Sequence, residues 1–79
     1  MKNFSLCDCL LGERVYILSI ELDKEIKRRF LDLGLSKNVE VIPLFDSISG
    51  GIRAYEIRNS LIAIRDSDAR GIMVMRSNE

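Results

Sequence analysis

Histidine is absent from the 79 residues, and with it the side chain that most often acts as general base beside a nucleophile or as a ligand to zinc and iron. A charge surplus is absent too. Twelve Lys and Arg stand against twelve Asp and Glu, which argues against nonspecific nucleic-acid binding, since that rests on an excess of cations. No apolar run approaches the roughly 20 residues of a membrane-spanning helix, and the start MKNFSLCDC lacks the apolar core of a signal peptide. A cytoplasmic location without membrane insertion is expected. Cys7 and Cys9 are one residue apart, a spacing that rarely closes an unstrained disulfide, so no disulfide framework is implied. No segment recurs at a fixed period, which excludes a repeat array.

What remains is 47% hydrophobic and 30% charged, the balance of an ordinary globular domain. Residues 1–79 are expected to form one domain with a small core, because a chain of this size buries only about 60–65% of its unfolded surface. The stretch DKEIKRRFLDLGL, Asp23 to Leu35, is the one segment with a clean helical period. Ile26, Phe30 and Leu33 recur at i, i+4 and i+7, while Lys24, Lys27, Arg28 and Asp32 fall on other faces. Asp23 is expected to cap its start, its carboxylate accepting a free N–H of the first turn. Gly34 is expected to end it in the left-handed conformation, with Leu35 folding back onto Phe30.

The rest alternates as strands. Leu6 and Cys9 suit one helical turn tucked under a core, and Gly12 breaks that turn. Glu13 to Ile20 reads as a first strand with Val15 and Ile17 on one face and Tyr16 and Leu18 on the other. Val39 to Phe45 reads as a second, with Pro43 at an edge or bulge because it cannot donate to a ladder. Asp46 to Gly51 is a loop, and IRAYEI from Ile52 a third strand whose Tyr55 and Ile57 are core. Arg58-Asn59-Ser60 turns the chain, Asn59 tolerating a left-handed backbone. Leu61 to Ile64 is a fourth strand, Asp66 to Ala69 a single helical turn ended by Gly71, and Ile72 to Met75 a fifth, before a polar tail from Arg76 to Glu79. The predicted fold is mainly β, a small antiparallel barrel of about five strands with one helix between the first and second, closed to hide its edges.

No enzyme motif is found. Carboxylates lie isolated on turns and helix faces, and Gly50-Gly51 is too short for a phosphate-cradling loop. Cys7-Asp8-Cys9 offers at most two thiolates and a carboxylate from one loop, whereas closed transition-metal sites draw four ligands from separated positions, so no metal and no cofactor is expected. Cys9 is expected to fill an apolar core position. The one candidate partner surface is the basic cluster Lys24, Lys27, Arg28 and Arg29, of which Lys27, Arg28 and Arg29 are assigned to partner binding. Arg28 should project outward and Arg29 flank the apolar stripe. The same cluster also reads as a solvated face laced with Glu21, Asp23, Glu25 and Asp32, in which Glu25 to Arg29 is a favourable i, i+4 pair.

Four blocks in order, SLCDCLLGERVYILSI, RRFLDLGL, SGGIRAYEIRNSLIAIR and DARGIMV, give the chain a resemblance to the FeoA-type domain. The resemblance spans nearly the whole length and implies an SH3-like barrel associated with bacterial ferrous-iron uptake. Where the family commonly carries Gly-Asp-Pro, this chain has Gly50, Gly51 and Ile52, and the usual hairpin glycine is Asn59. Gly12, Gly34 and Asn59 are thus expected to be structural. The resemblance implies a non-enzymatic accessory protein that binds the cytosolic domain of the membrane ferrous-iron transporter GTPase. Its alternative implication is a metal-linked regulatory module docking on a transcription factor, as in iron-dependent repressors. Self-association, if it occurs, is expected to be weak.

Overall fold

Among the described residues there are six strands, not five, because the two-residue strand Phe4–Ser5 pairs with the strand Ile72–Arg76. The computed structural model describes residues 3–76. In chain order they form β1 (Phe4–Ser5), a 3₁₀ turn (Leu6–Asp8), β2 (Val15–Ile20), α1 (Lys24–Asp32), β3 (Glu40–Asp46), β4 (Ile52–Ile57), β5 (Ser60–Arg65), α2 (Asp66–Ala69) and β6 (Ile72–Arg76). The strands make one antiparallel sheet in the order β1-β6-β2-β3-β4-β5. The helix therefore follows β2, between the two strands expected to flank it. The expected tail beyond Arg76 lies outside the described residues.

Barrel closure by hydrogen bonds is not found: among the described residues no ladder joins β1 to β5. The two ends of the sheet nevertheless share one core, in which Val15, Ile17 and Val74 from one side meet Val41, Tyr55, Ile57 and Ile64 from the other. Leu6 and Cys9 of the N-terminal turn and Ala69 of α2 join the same core, so side chains close the curl that backbone does not. Burial on one face follows the strand period of two, as in Val15 and Ile17 or Val41 and Pro43. A bulge between Ile17 and Ser19 resets that period, leaving Ser19 exposed and returning Ile20 to the core.

Pro43 sits at the second bulge, between Pro43 and Phe45, as its missing N–H requires. It faces Tyr55 of β4, and its carbonyl accepts the Gly12 N–H at 2.7 Å. Gly12 has φ +84, which lets the chain bend into that bond. At the β4–β5 turn Arg58 and Asn59 both have positive φ, 52° and 67°, the backbone of a tight two-residue hairpin. Asn59 thus adopts the left-handed backbone expected of it.

Helix α1 ends as its sequence dictates. Gly34 has φ +104, and the N–H groups of Gly34 and Leu35 donate to the carbonyls of Leu31 and Phe30 at 3.0 Å. Two expectations about the helix need correction. Asp23 occupies the N-cap position, but its side chain makes no capping bond. Leu33 keeps the apolar spacing yet is 51% exposed, because it is the C-cap itself and the reversal at Gly34 hands its core position to Leu35, which is fully buried. No helix among the described residues is long and apolar enough to cross a membrane.

Candidate functional site

The exposed side of α1 carries three cations that form no ion pair among the described residues. Its nine residues bury Phe30 and half-bury Ile26, and at ~100° per residue the opposite side collects i, i+3, i+4 and i+7, here Lys24, Lys27, Arg28 and Leu31. These four, with Asp32, line an open depression of about 480 Å³. Lys27 and Leu31 continue into a narrower groove of about 200 Å³ between α1 and β2, completed by Ile17, Leu18, Ser19, Ile20, Leu35 and Lys37.

Sequence spacing placed Lys27 and Arg28 on this surface correctly. Arg29 is not among its lining residues: one further step of ~100° carries it toward Leu33 on the other flank of the buried stripe. Lys24, named in the basic cluster but not assigned to partner binding, lines it too, while Leu31, Leu18 and Lys37 were missed as members, although the i, i+3, i+4, i+7 spacing contains Leu31. The expected Glu25–Arg29 ion pair is not formed. Among the described residues the ion pairs are Arg14–Glu40, Arg53–Asp46 and Arg76–Glu13, none of them on α1. Lys24, Lys27 and Arg28 are thus free of carboxylate partners there, and each is exposed. Asp32 lines the same depression without forming an ion pair with any of them.

The cysteine loop has a different character. Cys9 is buried, and desolvation pushes its thiol up to about 12, while burial followed by the Asp8 charge raises Cys7. A metal binds thiolate, so both shifts oppose ligation. Cys7 Sγ lies 3.8 Å from Asp8 Oδ1, and among the described residues no three of His, Cys, Asp and Glu come together. Among the described residues the donors do not make up a metal centre. The loop is instead fastened structurally: the Arg53 guanidinium donates to the Cys9 carbonyl at 2.6 Å and to Asp46 Oδ1 at 2.6 Å. That carboxylate holds Arg53 still more firmly protonated.

Tyr55 is fully buried at the centre of the core, and its hydroxyl has no hydrogen-bond partner among the described residues. Burial raises its pKa, so it stays a neutral phenol. An unpaired buried hydroxyl lowers stability by roughly 1–3 kcal/mol relative to a group with no polar atom. Tyr55→Phe is therefore expected to stabilise the fold by about 1 kcal/mol in urea unfolding. A lower midpoint would mean that the hydroxyl has a partner in solution.

Among curated proteins no sequence matches the chain. Solved structures match closely in fold. The FeoA protein of Chlorobium tepidum superposes with a TM-score of 0.88 at 25% identity, over 92% of this chain and 70% of that one. FeoA of Stenotrophomonas maltophilia complexed with zinc, described as a prokaryotic SH3 domain protein, gives 0.80 at 24% identity, over 91% of this chain and 89% of that one. A manganese-dependent transcriptional repressor gives 0.84 at 20% identity, over 95% of this chain, which spans 41% of the repressor. The sheet, open in its hydrogen bonding, is thus SH3-like. A family model described as the FeoA domain matches residues 4–76, all but a few residues at each end, and the chain belongs to the FeoA domain family.

Proposed function

We propose that the chain is a non-enzymatic, cytoplasmic accessory protein of ferrous-iron uptake that binds the cytosolic domain of the membrane transporter GTPase and modulates its transport or nucleotide cycle. Membership of the FeoA family supports the iron-uptake setting, and the Stenotrophomonas relative is itself put forward as a bacterial ferrous iron transport activating factor. The observation that carries the docking surface is the exposed, unpaired group Lys24, Lys27 and Arg28 around Leu31. Such a surface suits an acidic patch with an apolar centre: cations steer the encounter and Leu31 supplies area to bury. Arg28 adds a planar fork that binds a carboxylate bidentately. Arg29, assigned to the same role by sequence, flanks this group. The alternative, a regulatory module docked on a transcription factor, draws on a likeness of fold alone.

The test is a titration of the transporter's cytosolic domain, loaded with GDP or a GTP analogue, with wild type and with Lys27→Glu, Arg28→Glu. Exposed charges contribute little to folding, so the double variant should melt as wild type, yet bind roughly tenfold or more weakly, because like charges set against a complementary patch are repelled. Iron-uptake rescue in a strain lacking the wild-type chain should fall in parallel. A double variant that binds and rescues normally would leave the cationic face a solvated surface.

A further inference from the structure

The free edge of the sheet at β5 has a phase fixed by its hairpin. The two-residue turn at Arg58–Asn59 makes Ile57 and Ser60 a hydrogen-bonded pair, so Tyr55–Ile62 and Arg53–Ile64 are bonded and the pairs between them are not. Two contacts at the far end agree with this phase. The Asp66 N–H donates to the Gly51 carbonyl at 2.8 Å, the next bonded step, and the Ile52 carbonyl turns away from β5 to accept the Ser47 N–H at 2.9 Å. It follows that the N–H and C=O groups of Leu61 and Ala63 and the N–H of Arg65 project from the outer edge of β5. Among the described residues no backbone bond reaches them.

Free edges are normally protected by lysine, proline, a bulge or an inward-pointing charge. β5 has none of these: it reads SLIAIR, its register with β4 is unbroken, Leu61 is 62% exposed, and its only charge is Arg65 at the far end. The outer face beside it is apolar as well. Ala63 lies next to Ala54, which lies next to Phe45, itself 53% exposed, and Ile52 lies next to Arg65.

We propose that this edge pairs, antiparallel, with the same edge of a second copy of the chain. This inference does not rest on the function proposed above. Centring the pair on Ala63 sets Ala63 against Ala63 of the second copy and Leu61 against its Arg65, so no like charges face one another. Glu56 is the neighbour of Leu61 on β4. It then lies in the same row as the second copy's Arg65, two strand spacings or roughly 10 Å away, within the combined reach of two long side chains. Neither Glu56 nor Arg65 has an ion-pair partner among the described residues. The charge pattern of the edge is thus complementary to itself in this register, and a parallel pairing would set Arg65 beside Arg65. So short an edge buries less than a standard interface, which makes the dimer weak and concentration-dependent.

Sedimentation velocity over roughly 10 µM to 1 mM tests it, a range suited to so small an interface. Wild type should pass from monomer to dimer within that range. Ala63→Pro removes an outward N–H without touching the β4 ladder, and Ala63→Lys adds an edge charge. Both should stay monomeric, and the lysine variant decides the matter if the proline variant does not fold. Arg65→Glu should weaken association roughly threefold or more, as expected for losing exposed pairs on both sides of the two-fold, and adding Glu56→Arg should restore it. A wild type monomeric throughout, association unchanged by the Ala63 variants, or a charge swap that fails to restore it would each overturn the proposal.

Discussion

Gly71→Ala is expected to lower stability by about 1–3 kcal/mol, the range for forcing extra atoms into a packed site. A Cβ built there would lie 2.8 Å from the Glu21 carbonyl oxygen and 2.5 Å from Leu22 Cδ2. The leucine can rotate, but the carbonyl cannot. Its residue is tied to the same glycine by the bond from the Glu21 N–H to the Gly71 carbonyl at 2.7 Å. Relief therefore means pushing back the segment that links β2 to α1. In a domain of this size each kcal/mol moves the melting temperature by about 4–8 °C, so calorimetry resolves the effect easily. Gly12→Ala is the control, because nothing lies within 4 Å of its added Cβ and only its positive φ is strained, at a cost of roughly 1 kcal/mol. If the two variants melt alike, contact at Gly71 is not what forbids a side chain there.

Leu35→Ala is expected to cost about 2–5 kcal/mol, the range for emptying a fully buried leucine site. Leu35 is the residue through which the helix end grips the core, since its N–H closes the terminal bond to the Phe30 carbonyl and its side chain is fully enclosed. It also floors the groove between α1 and β2. The variant should thus lose stability in denaturant and, by native-state hydrogen exchange, lose protection first in α1. In the proposed complex, binding to the transporter domain should weaken with it, whereas Lys27→Glu with Arg28→Glu should affect binding alone. An unchanged midpoint for Leu35→Ala would mean that the helix is anchored elsewhere, through Phe30 and Ile26.

The sequence revealed those features whose cause is local. Helix α1 carries its own period and its own glycine stop, Tyr55 and Ile57 sit in an alternating run, and Pro43 needs a place without a donor, so each could be read from neighbouring residues. What escaped depends on distant partners. β1 is two residues long and is a strand only because Phe4 and Ser5 pair with Val74 and Met73. The bulge at Ile17/Ser19 and the exposure of Leu33 arise from how the sheet and helix end meet, not from composition. At the candidate site, the charges Lys27 and Arg28 were legible from helical phase, while Leu18 and Lys37 came from segments that folding brings beside the helix.

The place of β6 between β1 and β2 has a consequence for how the chain acquires its structure. The β3–β4–β5 meander is made of sequence neighbours and can form early, because closing short loops costs little entropy. Of the described strands β1 and β2 are made before the others, yet the strand that joins them, residues 72–76, is made after the other five. Until then β1 has no ladder and one edge of β2 stands open, so the nascent chain carries unpaired strand edges through most of its synthesis. Cooperative folding is therefore expected to wait until β6 is available, and chains truncated before residue 72 should remain open to protease even though they contain α1 and the whole meander.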